Sequence, residues 1–208
     1  MINLYRKHIF PYLLDKASRK LNTDRKRLLP CITGDVLELG VGTGVNFSFY
    51  SQSINSLIAI EPDATLLQHA AKQKTLLDVQ QADKFYLVQG DGHELPLASN
   101  SLDTVLCCLV LCSIPDPRRA LLEIYRVLKP GGHLVLFEHV KSSHALTHAF
   151  QQVLNPIWQP LACGCCLQRD TLQLVNQAGF LTGGLQTYRH NDLPALVGTL
   201  LEGVATKP

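Results

Sequence analysis

Apolar, β-branched runs alternate with helical segments along most of the chain, and this alternation restricts the fold more than any other sequence feature. Short apolar runs predict strands at residues 36–39, 57–60, 85–88, 104–111 and 134–137. Helical segments are predicted between them, at residues 45–50, 63–74 and 118–128. Strands separated by helices form a parallel sheet with helices on both faces. The sequence therefore predicts an α/β, Rossmann-like, doubly wound fold.

The last third of the chain adds helices and a strand pair. Helical patterns cover residues 140–158 and 169–178, and Gly179 is placed to end the second helix. Apolar runs at 185–188 and 197–205 predict a terminal pair of strands. Five parallel strands and this late hairpin make a mainly parallel seven-stranded sheet.

Composition limits the class of protein. Apolar residues make up 46% and charged residues 17% of 208 residues, which is typical of one globular domain rather than disorder or coiled coil. The longest apolar run, residues 104–114, is shorter than the roughly 20 residues of a membrane helix. No signal peptide is recognisable, so we expect a cytoplasmic protein. The seven cysteines are expected to be reduced, and Cys163, Cys165 and Cys166 have no second ligand pair, so no metal site is predicted.

The N-terminal arm, residues 1–33, is basic. It has eight Lys and Arg residues against two Asp, a charge of +6, which leaves −4 for the rest of the chain. Apolar residues recur in it at roughly helical spacing: Leu4, Ile9, Phe10, Leu13, Leu14 and Leu21. This pattern predicts a helical lid packed on the core. The alternative is a surface helix that contacts anionic lipid.

Candidate binding residues follow the predicted strands, where ligands bind in open α/β sheets. The first strand runs into Glu38-Leu39-Gly40-Val41-Gly42-Thr43-Gly44, in which glycines allow a sharp turn and close approach of a ligand. Neither Val45 nor Phe47 supplies the third glycine of a dinucleotide fingerprint, which counts against NAD.

Acidic residues end the next two strands. Glu61 and Pro62 follow the second strand, and Glu61 stands 21 residues after Gly40, where a carboxylate can accept hydrogen bonds from ribose hydroxyls. A solvated loop acid is the alternative. Asp91 and Gly92 follow the third strand, where Asp91 could accept a hydrogen bond from an adenine amino group.

These motifs, in this order, resemble the class I S-adenosylmethionine-dependent methyltransferases over residues 34–137. By that resemblance, Gly40, Gly42 and Gly44 surround the methionine end and ribose of S-adenosylmethionine, with Glu38 and Thr43 beside them. Glu61 and Pro62 lie at the ribose, Asp91 and Gly92 border the adenine, and Leu109 lines the pocket.

Further segments resemble the animal methyltransferase-like thiol S-methyltransferases: residues 107–113, 137–140, 151–158 and 164–169. The resemblance implies a small, apolar acceptor, with an alkyl thiol favoured over a phospholipid amine or a quinone ring. The animal proteins have an apolar membrane-anchoring N-terminus where this chain has its basic arm, and usually Cys at Val41. Membrane contact through the arm therefore stays open, as does the oligomeric state.

A thiol acceptor reacts as its thiolate, so a base or nearby positive charge is required. His139, at the end of the fifth predicted strand, is the predicted catalytic base. The alternative is a histidine that hydrogen-bonds a buried carbonyl. Trp158 and Phe150 are expected to cover an apolar acceptor site.

The chain is expected to form one domain. We divide it into the arm (1–33), a cofactor-binding core (34–139), and acceptor-side helices with the terminal strand pair (140–208). The residues after the fourth predicted strand, Leu111-Cys112-Ser113-Ile114, lack the Asn-Pro-Pro-aromatic type of motif, so a nucleic acid acceptor is not expected. A noncatalytic S-adenosylmethionine-binding protein and a dinucleotide oxidoreductase remain as rival classes.

Overall fold

The computed structural model describes Tyr5 and residues 9–208, without the side chains of Phe10, Leu14 and Ala17. Leu4, Arg6 and Lys7 of the predicted arm lie outside the described residues. Seven strands form one sheet: β1 (Gly34–Leu39), β2 (Ile54–Glu61), β3 (Phe85–Gln89), β4 (Leu102–Cys108), β5 (Leu128–His139), β6 (Leu181–Arg189) and β7 (Thr199–Thr206). The α-helices are α1 (Phe10–Ser18), α2 (Asn22–Leu28), α3 (Ala64–Lys74), α4 (Val79–Ala82), α5 (Pro117–Val127), α6 (Ala145–Leu161) and α7 (Thr171–Gln177).

The strand order is β3-β2-β1-β4-β5-β7-β6. The first five strands pair in parallel, whereas β7 is antiparallel to both β5 and β6. The predicted mainly parallel, seven-stranded α/β sheet with a terminal strand pair is therefore confirmed. β1 and β4 are neighbours at the centre, and the chain winds outward from them in both directions.

Two apolar cores cover the two faces of the sheet because consecutive strand residues point to opposite faces. Leu134 and Leu136 of β5 pack with residues of α5 and α7 on one face. Val135 and Phe137 pack on the other face, in a core that includes Leu21 and Leu29 from the N-terminal arm. Burial on both faces explains why these strands read as continuous apolar runs.

The N-terminal helices contact the segment after β1 and strand β7. Asp15 of α1 accepts a hydrogen bond from Thr43 Oγ1 at 2.5 Å, and Arg27 Nη2 of α2 lies 2.6 Å from Glu202 Oε2 of β7. The described part of the arm is thus helical, and polar contacts fix it to the segment after β1 and to β7.

Two predicted elements are shorter than the sequence pattern indicated. Residues 45–50, predicted as a helix, form only the 3₁₀ turn Phe47–Phe49, because the Asn46 and Tyr50 side chains are directed to Glu38. The predicted strand 104–111 ends at Cys108, because Leu109 adopts a left-handed conformation with φ +58°. Gly179 follows α7 with φ +96°, the conformation of a residue that ends a helix.

Candidate active site

The centre of the sheet has a topological switch point, since β2 and β3 lie on one side of β1 and β4 and β5 on the other. Ligands of doubly wound sheets bind in the crevice outside the carboxyl ends of the strands at such a point. The residues after β1 and β4 meet here. A Cβ atom on Gly40 would lie 2.1 Å from Cγ2 of Val110, so a side chain at this position would collide with the turn after β4.

The glycine turn after β1 has left-handed backbone at all three glycines. Gly40, Gly42 and Gly44 have φ values of +68°, +58° and +83°. The Gly40 and Val41 amides both donate to the Ile60 carbonyl of β2, at 2.8 and 3.1 Å. Residues with a Cβ rarely adopt this backbone, so the glycines permit a turn that presents main chain to the crevice.

Glu61 connects the end of β2 to this turn. Its Oε2 accepts a hydrogen bond from the Gly42 amide at 3.0 Å, and its Oε1 accepts one from Asp63 at 3.1 Å. The carboxylate is buried, and burial raises its pKa, although the two amides oppose the shift. Pro62, the next residue, is exposed.

Asp91 and Gly92 follow β3 at the same edge. The Asp91 side chain is exposed and contacts His93 through the His93 amide, at 2.8 Å, and Nδ1. Gly92 is buried, and a Cβ there would lie 3.1 Å from the Leu39 side chain at the end of β1. The ends of β1 and β3 are therefore close together.

Glu38 is the centre of a buried polar network below the glycine turn. Its carboxylate accepts hydrogen bonds from Asn46 Nδ2 at 2.7 Å and Tyr50 Oη at 2.9 Å. Asn46 Oδ1 accepts from Arg25 Nε at 2.6 Å, and Arg25 also donates to Ser18. Burial raises the pKa of Glu38 to about 7. The network fixes the arm and the segment after the glycine turn to β1.

Glu138, which was not among the predicted site residues, holds the turn after β4. Its Oε1 accepts hydrogen bonds from the amides of Val110 at 2.8 Å and Leu111 at 2.9 Å, and its Oε2 accepts one from Cys112 at 3.3 Å. The Leu109 amide donates to the Phe137 carbonyl at 2.8 Å. Burial raises the pKa of Glu138 to about 7. Leu109 is therefore fixed in its left-handed turn by the end of β5.

His139 is buried at the carboxyl end of β5 and contacts protein groups through both ring nitrogens. Nε2 lies 3.4 Å from the Leu196 carbonyl oxygen, and Nδ1 lies 4.0 Å from Cys165 Sγ. A carbonyl can only accept, so a hydrogen bond to Leu196 places the proton on Nε2 and leaves Nδ1 as the acceptor facing the thiol.

Cys112 and Cys165 form a thiol pair beside His139. The Cys166 amide donates to the Cys112 carbonyl at 2.8 Å and brings the two loops together. A hydrogen bond from Cys112 is the largest of the effects that lower the pKa of Cys165. The same hydrogen bond and burial raise the pKa of Cys112. Cysteine spacing alone could not predict this pair, because the pair depends on the approach of two distant loops.

The structure brings most of the predicted residues to one edge of the sheet: Glu38, Gly40, Gly42, Thr43, Gly44, Glu61, Pro62, Asp91, Gly92, Leu109 and His139. Phe150, expected to cover an acceptor site, instead has an exposed side chain on α6, whereas Trp158 is half-buried. Within the described residues, no cluster of three or more His, Cys, Asp and Glu side chains could hold a metal ion. In the same part of the chain, no helix is long and apolar enough to cross a membrane.

A cavity of about 520 Å³ opens at the same edge but on the β5, β7 and β6 side. Ser142, His144, Tyr188, Arg189 and Thr199 are among its lining residues. None of the residues predicted to bind a cofactor lines it.

The fold and the motifs at the switch point define the class of the protein as the S-adenosylmethionine-dependent methyltransferases. The family described as "Methyltransferase domain" matches residues 37–136. The methyltransferase solved in complex with the Trm112 activator of Haloferax volcanii superimposes with a TM-score of 0.74 at 18% identity. That superposition covers 100% of this chain and 97% of the other, and it supports the fold alone.

Two curated relatives are informative. Human thiol S-methyltransferase TMT1B is 35% identical over 187 residues, which cover 84% of this chain and 76% of TMT1B. The phosphatidylethanolamine N-methyltransferase of Cereibacter sphaeroides is 27% identical over 74% of this chain and 78% of its own. The chain belongs to the methyltransferase family that contains TMT1B, and S-adenosylmethionine is its cofactor.

The raised pKa of Glu38 predicts a pH dependence of stability. A carboxyl whose pKa is about 7 in the folded protein, above the model-peptide value near 4.3, favours folding most at low pH. Its contribution is lost as the pH rises through that range. Urea denaturation measures the free energy of unfolding of wild type and of Glu38→Gln. Between pH 5 and pH 8 we expect wild type to lose stability relative to Glu38→Gln, because the glutamine does not titrate. A difference independent of pH would contradict the raised pKa.

Proposed function

We propose that this methyltransferase transfers the methyl group of S-adenosylmethionine to the thiol of a small, apolar acceptor. The observation that carries the acceptor assignment is the 35% identity over 187 residues to a thiol S-methyltransferase. His139, buried at the carboxyl end of β5 with Nδ1 4.0 Å from Cys165 Sγ, is the predicted base for such an acceptor.

The residues at the switch point fit the cofactor. The left-handed glycine turn presents main chain to the crevice, and the absence of a Cβ on Gly40 and Gly92 keeps the turns in close contact. Glu61 holds a buried carboxylate at the end of β2, suited to the ribose hydroxyls. We propose that Gly40, Gly42, Thr43 and Gly44 surround the methionine end, that Glu61 and Pro62 lie at the ribose, and that Glu38, Asp91, Gly92 and Leu109 complete the site.

The chemistry divides between cofactor and protein. Bound S-adenosylmethionine supplies a methyl group that its sulfonium already activates. The protein aligns the acceptor and excludes water, and α1 assists by covering the glycine turn through the Asp15–Thr43 contact.

His139 supplies the remaining step, removal of the thiol proton. A free thiol with a pKa near 8.5 is mostly protonated at neutral pH, whereas the thiolate is the nucleophile. We propose that Nδ1 accepts this proton. The resulting imidazolium keeps its Nε2–H directed at the Leu196 carbonyl, which stabilises the positive charge.

A lipid amine or a quinone ring is the second candidate acceptor. The similarity to a phosphatidylethanolamine N-methyltransferase and the exposed apolar residues of α6 favour it. The cytoplasmic location, the absence of nucleic acid binding and the division of the chain into arm, cofactor half and acceptor half stay predictions.

The cofactor site is tested by Gly42→Val. Gly42 has a φ of +58°, and a β-branched residue in this backbone is strained and displaces the turn. We expect calorimetric titration to show at least about tenfold weaker binding of S-adenosylmethionine while circular dichroism stays unchanged, since a strain of about 1–3 kcal/mol corresponds to such a factor. Gly183→Val, on β6 with no atom within 4 Å of its Cβ position, is the control. Unaltered binding by folded Gly42→Val would refute the assignment.

The acceptor and the base are tested together by methyl transfer from radiolabelled S-adenosylmethionine. The acceptors are an alkyl thiol, a phosphatidylethanolamine dispersion and a demethylquinone. We expect transfer to the thiol, reduced on the order of 100-fold in His139→Ala at pH 7. The variant should recover as the pH approaches the thiol pKa, because the acceptor then ionises without a base.

His133→Ala, an exposed histidine at the amino half of β5, is the matched control and should retain wild-type activity. Equal rates for His139→Ala and wild type across the pH range would exclude His139 as the base. Transfer to lipid or quinone alone would replace the thiol by the second candidate. No transfer to any acceptor by protein that binds the cofactor would contradict a thiol acceptor and favour a noncatalytic binding protein.

A further inference from the structure

Helix α6 is amphipathic, but its apolar side chains face solvent and its polar side chains face the protein. Five large apolar residues at spacings of three or four are 57–73% exposed: Leu146, Phe150, Val153, Ile157 and Leu161. Residues at this spacing lie on one face of a helix. A surface helix of a globular domain ordinarily turns this face toward the core. We call these five residues the α6 face.

The inward side of α6 is polar and fixed by hydrogen bonds. Gln151 is buried; its Oε1 accepts from the Ser142 amide at 2.8 Å, and its Nε2 donates to the Leu196 carbonyl at 2.9 Å. Asn155 Oδ1 accepts from the Leu167 amide at 2.8 Å. These bonds set the rotation of the helix, so the α6 face cannot turn inward without breaking them. Its exposure is therefore built into the fold.

The net positive charge of the chain lies in the N-terminal arm, and α6 itself has none. No Asp, Glu, Lys or Arg occurs in the 17 residues of α6. The basic arm reaches its C-terminal end, where Tyr5 Oη donates to the Leu161 carbonyl at 2.8 Å. α1 then presents exposed Tyr12 and Leu13 together with exposed Lys16, and Arg19 and Lys20 follow it.

We propose that the α6 face, with the exposed residues of α1, inserts into the surface of an anionic phospholipid membrane. An apolar helical face next to a basic segment is typical of interfacial membrane helices, in which apolar side chains enter the lipid boundary and Lys and Arg contact anionic headgroups. A second copy of this chain fits less well. An isologous dimer across the α6 face would bring together two arms that each have a charge of +6, without acidic residues on α6 to offset them.

The interaction also has a consequence for the active site. The Leu196 carbonyl contacts two side chains. One is Gln151, whose Nε2 anchors α6, and the other is the predicted base His139, through its Nε2. The outward-facing helix and the predicted base are thus joined through one peptide group.

Vesicle sedimentation of the purified full chain tests the proposal. Vesicles of phosphatidylcholine alone are compared with vesicles that contain about 30% phosphatidylserine, at low salt and in 0.5 M NaCl. We expect binding to the anionic vesicles, weaker binding to neutral ones, and weakening by salt, because surface charges are screened.

Val153→Asp/Ile157→Asp is the informative variant, and we expect its partitioning to fall at least about tenfold. The matched control is Leu76→Asp/Val79→Asp, which changes the same charge at residues 76% and 75% exposed but outside the α6 face. Calorimetric binding of S-adenosylmethionine shows that each variant is folded, and it separates this test from the acceptor assignment.

Equal partitioning of the two double variants would overturn the proposal. So would a lack of binding to anionic vesicles by the wild type. Analytical ultracentrifugation tests the alternative that a second copy of the chain covers the α6 face. If the protein does not bind vesicles but forms a dimer, and Val153→Asp/Ile157→Asp dissociates that dimer, the α6 face is a dimer interface instead.

Discussion

The contact between the turns after β1 and β4 is the constraint on which the site depends. The Glu138 carboxylate accepts three backbone amides from the turn after β4, while Gly40 leaves room for Val110 of that turn. A buried carboxyl is costly unless its hydrogen bonds are made, so this arrangement fixes both turns at once. The crevice at the switch point, the left-handed Leu109 and the end of β5 at His139 all follow from it.

Local patterns were sufficient for the sheet and for the residues at its carboxyl edge. Buried parallel strands read as apolar runs, as at residues 134–137, and a glycine turn or an acid directly after a strand is visible in the sequence. Because β1, β2 and β3 are neighbours in the sheet, the glycine turn and the acidic residues that follow these strands lie at one edge. Their position at this edge could be predicted from the sequence, whereas the hydrogen bonds between them could not.

Contacts between distant parts of the chain had no comparable signal. The Arg25–Asn46–Glu38 network joins the arm, a loop and a strand. Because of it, residues 45–50 form a single 3₁₀ turn instead of the predicted helix. Phe150 was expected to cover an apolar acceptor site, but the hydrogen bonds of Gln151 and Asn155 fix α6 with Phe150 exposed on its outer face. Polar anchoring therefore decided the orientation that hydrophobic spacing alone could not.

We propose that the turns after β1, β2, β3 and β4 form one S-adenosylmethionine site. Hydrogen–deuterium exchange, followed by mass spectrometry with and without the product S-adenosylhomocysteine, tests it most directly. We expect slower exchange on binding in residues 40–44 and 109–112, which form the two contacting turns. Protection confined to the segments that line the cavity beside β6 and β7, around Ser142, Tyr188 and Thr199, would contradict it.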